Sequence, residues 1–91
     1  MPAFQLSIET PERVVYNGEV SSLIVPAQEG YWGVLADHAP LIANLIPGKI
    51  SIKESSGRQL NLDSASKGVV EVIKNHVTIL LDHLESAVIT T

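Results

Sequence analysis

The sequence predicts an all-β protein: an antiparallel β-sandwich of about ten short strands that forms one domain over residues 1–91. Two observations predict this class. Hydrophobic and polar residues alternate from Phe4 onward, as they do in strands with one buried face. Turn-forming pairs interrupt these runs at intervals of roughly eight to twelve residues, which is typical of antiparallel sandwiches and barrels. A chain of 91 residues holds a single core of this kind.

The predicted strands follow in order along the chain. The first, FQLSIE, begins at Phe4 and places its hydrophobic side chains on one face. KISIKE and QLNLD alternate in the same way, and Ser55–Gly57 between them predicts a hairpin. VVEVI and HVTILLD are richer in β-branched residues, which suits strands that are covered more fully. Asn75 tolerates the left-handed conformation and predicts a tight turn between these two runs. A final strand is expected at Ala87–Thr90.

Several pairs of residues signal turns. They are Asn17-Gly18, Glu29-Gly30, Pro47-Gly48, Ser56-Gly57, Lys67-Gly68 and Asn75-His76. The segment HAPLIANLI, residues 38–46, is the one ambiguous stretch, because Leu41, Ile42 and Leu45 have helical spacing. The segment is short, ends at a Pro-Gly pair and has strands on both sides, so an extended conformation is favoured.

Composition excludes several functions. The formal net charge is −4 and the six basic residues are scattered, so the clustered cations that bind nucleic acid or anionic lipid are lacking. The absence of cysteine excludes disulfides, thiolate nucleophiles and cysteine-ligated zinc. The N-terminus does not resemble a signal peptide, and no run approaches the roughly 20 apolar residues of a membrane span. We therefore expect a soluble protein without a cofactor, which meets a membrane only through partners.

The acid–histidine neighbours, Asp37-His38 and Asp82-His83, do not predict catalysis. Adjacent residues on a strand point to opposite faces, and a catalytic dyad also needs a nucleophile within hydrogen-bond reach. The three histidines do not form a ligand pattern for a metal. We expect Asp37 to form a turn, with its side chain accepting a backbone N–H, and His38 to be a loop or interface residue. A small hydrolase that uses Asp37 and His38 remains a rival hypothesis.

The segment around Gly30 and Gly33 does not predict a phosphate-binding loop, because no helix and no lysine follow it. Tight turning and close backbone approach are the favoured roles of these glycines. Strand alternation places one of the rings of Tyr31 and Trp32 inside the sandwich, and we expect Tyr31 to be outside. An exposed aromatic residue in a rigid turn is favoured at protein interfaces. A free-standing sandwich that binds a peptide or a sugar is the alternative, although one Phe, one Trp and two Tyr supply few rings for its groove.

Three motifs in this order resemble the N-terminal domain of the epsilon subunit of F-type ATP synthase, which in mitochondria is called delta. They are TPERVVYNGEV, EGYWGVLADHAPLIANLIPGKI and GVVEVIKNHVTIL. The resemblance covers the chain from Phe4 to about Asp82. It implies a sandwich of about ten strands in the rotary central stalk. Such a subunit binds gamma and the c ring and couples proton transport to ATP synthesis without bond chemistry of its own. The resemblance also implies a peripheral position on the cytoplasmic face of a bacterial inner (plasma) membrane.

The resemblance assigns two sets of contact residues. The expected c-ring contacts are Glu29, Gly30, Tyr31 and Trp32. The expected gamma contacts are Thr10, His38 and Ala43. This chain departs from the family at two positions. Tyr31, one of the expected c-ring contacts, stands where a carboxylate is common. Asp37, directly before the expected gamma contact His38, stands where a glycine is often found.

Many family members continue into a pair of C-terminal helices that inhibits ATP hydrolysis and in some members binds ATP. That segment opens with an aspartate that is followed a few residues later by an Arg-Ala pair. The end of this chain, LDHLESAVITT, has Asp82 but no arginine. We therefore expect residues 1–91 to contain neither the helical hairpin nor a nucleotide site.

Overall fold

The computed structural model describes residues 2–83 and 89–90, and every regular element in this part of the chain is a strand. The predicted all-β class is confirmed, with nine strands among the described residues. The strands are β1 (Phe4–Glu9), β2 (Val14–Ala27), β3 (Gly30–Leu35), β4 (Leu41–Leu45), β5 (Gly48–Glu54), β6 (Gln59–Ser64), β7 (Gly68–Ile73), β8 (His76–Leu81) and β9 (Ile89–Thr90). Within these ranges there is no helix that is long and apolar enough to cross a membrane. Of the expected last strand, residues 87–88 lie outside the described residues.

β2, with 14 residues, is shared by two groups of strands. Its first half pairs with β1, which continues the first group through β8 and β7 to β4. Its second half pairs with β3 and β5, and β5 continues the second group through β6 to β9. All these pairs are antiparallel except β1 with β8, which is parallel. A further pair between Ala27 and Leu45 joins the two groups again, so the strands surround one core.

The core consists of the inward side chains of the alternating strands. In β1, Phe4, Leu6 and Ile8 are buried and alternate with partly exposed residues. β6 and β8 repeat this pattern with leucine, isoleucine and valine. The largest fully buried side chains are all aliphatic, and Tyr16 and Trp32 pack against the core as partly buried residues. The hydrophobic alternation in the sequence therefore does place these side chains in a common interior.

The ambiguous segment is extended, as predicted, because residues 41–45 form β4 and pair with β7. The two predicted hairpins are also confirmed. Gly57 adopts a positive φ and donates its N–H to the carbonyl of Glu54 in the β5–β6 turn. Lys74 and Asn75 both have positive φ values in the β7–β8 turn, which is the conformation that a two-residue hairpin turn requires.

The predicted turn at Asn17-Gly18 is wrong, because both residues lie inside β2, where Gly18 pairs with Leu6 of β1. The glycine makes room for an aromatic ring. A Cβ atom on Gly18 would lie 2.6 Å from the hydroxyl oxygen of Tyr16, so only glycine leaves space for the ring in its observed position. An aromatic ring that covers a glycine in a sheet replaces the packing that the missing side chain cannot supply.

The Tyr16 hydroxyl donates a hydrogen bond to Oε2 of Glu54, at 2.6 Å, and so ties β2 to the end of β5. Burial of the phenol raises the pKa of Tyr16 above its ordinary value, and the hydrogen bond to Glu54 and the charge of that carboxylate raise it further. Arg58 lies 3.5 Å from the Glu54 carboxylate and opposes this increase in the pKa. The neutral phenol is therefore the form that the folded chain favours.

We expect the stability of the chain to fall at alkaline pH through Tyr16. A raised folded-state pKa means that this contribution is fully present below the unfolded-state value of about 10 and is lost as the pH rises through the folded-state value. Tyr16→Phe should weaken the decline in unfolding free energy above about pH 10, and should cost about 1 kcal/mol at neutral pH through the lost hydrogen bond. Urea denaturation at a series of pH values measures both effects. Tyr31→Phe is the control, and identical pH profiles for wild type and both variants would contradict the assignment.

Candidate protein-contact site

The β2–β3 hairpin ends in a turn at Gln28 and Glu29, closed by the pair Ala27–Gly30. The predicted turn is therefore confirmed. Gly30 has a φ of 126°, which glycine adopts without steric cost and other residues rarely adopt. Glu29 and Gly30 are both exposed. The glycine thus permits a tight exposed turn immediately before the two aromatic residues.

Tyr31 is the exposed ring, as predicted, with 65% of its surface accessible, whereas Trp32 is half-buried and packs against the core. The Tyr31 residue pairs with Pro26 of β2. Its hydroxyl accepts a hydrogen bond from the backbone N–H of Lys49, at 3.4 Å. The ring is therefore attached at both ends to neighbouring strands while its face remains open to a partner. An aromatic residue held in this way loses little conformational entropy on binding.

A groove of about 600 Å³ lies beside this turn. Its lining contains all four expected c-ring contacts and one of the expected gamma contacts, Ala43. The lining residues are Ala27, Gln28, Glu29, Gly30, Tyr31, Trp32, Leu41, Ile42, Ala43 and Asn44. The groove thus gathers the whole expected c-ring set but only one of the three expected gamma contacts.

Within β4, Ile42 presents far more surface than the expected contact Ala43. Ile42 is 68% exposed, whereas Ala43 is partly buried and packs against the core. The two residues alternate on the strand, so their side chains point to opposite faces. Ile42 was not among the predicted contacts, although the same alternation that places Ala43 inward indicates that Ile42 points outward.

Asp37 forms a turn in the β3–β4 loop with a φ of 63°, a left-handed conformation in which glycine is common. Its backbone N–H donates to Oδ1 of Asn75, at 2.6 Å. Its carboxylate oxygen Oδ1 accepts from Nδ2 of Asn75, at 2.9 Å. The predicted turn role is thus confirmed, but the predicted acceptance of a backbone N–H is wrong, because the carboxylate accepts a side-chain amide from a distant turn.

His38 is half-buried, and its ring contacts Trp32 edge to face, with centroids 4.9 Å apart and planes at 89°. Its Nδ1 lies 2.7 Å from the carbonyl oxygen of Ala39, a distance at which the protonated nitrogen donates a hydrogen bond. The Asp37 carboxylate bonds to Asn75, so it does not hold the imidazole as a catalytic dyad requires. Among residues 2–83, no group of three or more histidine and acidic side chains is arranged to hold a metal ion.

Thr10 lies in the turn between β1 and β2, where it exchanges backbone hydrogen bonds with Arg13. The register places it far from His38. β1 ends at Glu9, opposite Leu80 near the end of β8, whereas the loop of His38 is bonded to the turn before β8. The structure therefore does not gather the three expected gamma contacts into one cluster, and Thr10 and His38 lie toward opposite ends of the first group of strands.

These features define a class of protein: a small β-sandwich with an exposed groove beside an aromatic turn and, among its described residues, neither a metal-ligand cluster nor an Asp37–His38 dyad. Comparison with known families identifies the class more closely. The model of the beta-sandwich domain of the ATP synthase delta/epsilon chain matches residues 3–87. The chain belongs to this family.

Relatives and solved structures agree with this assignment. The chain is 44% identical over 79 residues to the ATP synthase epsilon chain of Leptospira interrogans, with 87% of this chain and 61% of that one covered. It is 38% identical over 84 residues to the epsilon chain of Dichelobacter nodosus, covering 92% of this chain and 58% of that one. The fold matches a chain in the structure of Euglena gracilis mitochondrial ATP synthase, OSCP/F1/c-ring, with a TM-score of 0.83 at 20% identity, covering 91% of this chain and 52% of that one. The chain thus spans about three fifths of the length of these curated relatives.

Proposed function

We propose that the chain is a non-catalytic subunit of the central stalk, the rotor, of an F1Fo ATP synthase. In this role it binds gamma and the c ring and couples proton transport to ATP synthesis. The observation that carries the proposal is the groove beside the β2–β3 turn, which is lined by the exposed residues Glu29 and Gly30 and by the exposed, anchored ring of Tyr31. Membership of the delta/epsilon family supplies the partners that such a surface would meet.

The rest of the fold suits a part that transmits torque. Almost every described strand is paired along its length to at least one neighbour, and the strands surround a core of interlocking aliphatic side chains. Close-packed interiors of this kind are hardly compressible and transmit strain. Among residues 2–83, no buried side-chain nitrogen or oxygen lacks a hydrogen-bond partner, as is usual in a well-packed interior.

The same proposal gives the location. The chain lies on the cytoplasmic face of a bacterial inner membrane and is held there through the c ring. The relatives with the highest identity reported above are bacterial epsilon chains, which supports a bacterial membrane over a mitochondrial one. A net charge of −4 opposes direct adsorption to anionic lipid.

Site-directed crosslinking tests the proposal directly. The chain has no native cysteine, so single cysteines at positions 31 and 38 carry a photoreactive maleimide without further engineering. After reconstitution with gamma and the c ring, we expect position 38 to give adducts with the mass of gamma and position 31 adducts with the mass of c. A cysteine at exposed Asp63, on the outer face of β6, is the control and should give neither. If the wild-type chain bound neither gamma nor the c ring, the proposal would be refuted and the free-standing peptide- or sugar-binding sandwich would be favoured.

His38→Ala is expected to weaken gamma binding about tenfold, because an interface side chain of ordinary importance contributes about 1–2 kcal/mol. The half-buried ring lies at the edge of the core, so the melting temperature should change by only a few degrees. Titration calorimetry with isolated gamma measures the affinity. His83→Ala, which removes an exposed histidine beyond the end of β8, should bind as wild type does. Equal losses in the two variants would contradict a specific role for His38.

A further inference from the structure

Two side-chain hydrogen bonds clamp the β3–β4 loop to the β7–β8 turn. The backbone N–H of Asp37 donates to Asn75 Oδ1, and Asn75 Nδ2 donates to Asp37 Oδ1. The two residues have φ values of 63° and 60°, so both ends of the clamp occupy the left-handed region. Aspartate and asparagine adopt this region more readily than most L-residues, and the two hydrogen bonds hold both of them in it.

The clamp is itself attached to the sheet. The backbone carbonyl of Asn75 accepts a hydrogen bond from the N–H of Gln5 at 2.9 Å, which ties the turn to β1. Among the described residues, the bonds between Asp37 and Asn75 are the only side-chain hydrogen bonds that connect the loop of residues 36–40 to another element. The position of this loop therefore depends on Asn75.

His38 follows directly after the clamped residue, and its ring packs edge to face with that of Trp32. A shallow groove of about 360 Å³ lies between the loop and the turn. It is lined by Asp37, His38, Ala39, Pro40, Lys74 and Asn75. A displacement of the loop would change both the orientation of the imidazole and the shape of this groove.

We propose that Asn75 is a positioning residue for the binding of gamma. It acts through Asp37, which it holds in the left-handed conformation, and so sets the place of His38 on the contact surface. The inference rests on the proposed function, because it assigns Asn75 to the same gamma contact. It also accounts for the departure from the family at position 37: the amide of Asn75 supports an aspartate where glycine would need no support.

Asn75→Asp tests the clamp by placing a second carboxylate against that of Asp37. Aspartate also tolerates the left-handed conformation, so the turn itself is retained. We expect the affinity for gamma to fall about tenfold, since residues that share one hydrogen-bond network are energetically coupled. In the NMR spectrum, the chemical shifts of the His38 ring protons should move as the ring leaves the edge of Trp32.

The double variant Asp37→Asn with Asn75→Asp provides the decisive arm. It restores an amide opposite a carboxylate with the roles exchanged. The affinity for gamma should return to within about threefold of wild type, and the chemical shifts of the His38 ring protons should return close to their wild-type values. If Asn75 contributed only to the overall stability of the fold, the folded fraction of Asn75→Asp would keep the wild-type affinity for gamma and the wild-type His38 shifts. If Asn75→Asp fails to fold, Asn75→Gly keeps the positive φ and removes only the amide, and the same loss of affinity is expected.

Asn17→Asp is the matched control, because Asn17 is also exposed and also accepts a side-chain hydrogen bond, from Gln5 Nε2 at 2.6 Å. It should bind gamma as wild type does. Unchanged affinity in Asn75→Asp, or no recovery in the double variant, overturns the inference while the proposed function stands. Absence of gamma binding by the wild-type chain overturns the proposed function and the inference together.

Discussion

Gly68→Ala is expected to lower the free energy of unfolding by about 3 kcal/mol, at the upper end of the usual cost of overpacking. A Cβ atom at position 68 would collide with the backbone carbonyl oxygen of Leu80 and would lie 3.0 Å from Cδ2 of Leu81. Gly68 pairs with Leu81 in the β7–β8 ladder, so the obstructing carbonyl cannot retreat without disturbing that pairing. Chemical denaturation with urea measures the change.

Gly33→Ala is the matched control for this prediction. The heavy atom nearest to a Cβ at position 33 would be the carbonyl oxygen of Leu23, at 3.9 Å, and Gly33 does not adopt a positive φ. We expect the free energy of unfolding to change by no more than about 0.5 kcal/mol. Alanine lowers the conformational entropy of the unfolded chain, which favours a small increase in this free energy. A similar cost at both positions would show that close approach at Gly68 is not the cause.

Much of the fold could be predicted from local pattern because each strand carries its own period-two signal. β1, β5 and β6 alternate strictly in the sequence, and turn residues separate them, so neither their existence nor their inward faces depended on distant contacts. The fuller cover expected for β8 is wrong, because its residues alternate between buried and accessible positions and Leu80 is 50% exposed. Alternation also predicted that the rings of Tyr31 and Trp32 lie on opposite faces, and the separate expectation that Tyr31 is the outer one is confirmed. A face assignment of this kind needs only the parity of neighbouring positions.

Predictions failed where a distant residue determines the local conformation. Asn17-Gly18 has the composition of a turn, but the glycine accommodates Tyr16, whose hydroxyl bonds to Glu54 across 38 positions of sequence. The partner of Asp37 is likewise 38 positions away. The parallel pairing of β1 with β8 joins strands that lie far apart in the sequence, since Gln5 lies opposite His76. Local propensity contains no information about such contacts, which only the assembled sheet creates.

Tyr31→Ala is expected to weaken binding to the c ring about thirtyfold, the change that corresponds to an aromatic hot spot of roughly 2 kcal/mol. The ring is 65% exposed, so its removal should leave the unfolding free energy within about 0.5 kcal/mol of wild type. Co-sedimentation with reconstituted c ring measures the affinity. Leu35→Ala is the matched control, because Leu35 is also 65% exposed and lies on the same face of the same strand, four residues further on.

Three variants at position 31 distinguish an aromatic contact from a polar one. The hydroxyl accepts a hydrogen bond from the backbone N–H of Lys49 and keeps its own O–H as a donor, while the ring is 65% exposed. We expect the exposed ring face to supply most of the proposed contact with the c ring. Tyr31→Phe should therefore bind within about threefold of wild type, because stacking and apolar contact survive. Tyr31→Glu supplies the carboxylate that is common in the family and should nevertheless lose as much affinity as Tyr31→Ala. Strong binding by Tyr31→Glu together with weak binding by Tyr31→Phe would instead assign the contact to a polar group, and aromatic packing at this position would then be the wrong explanation.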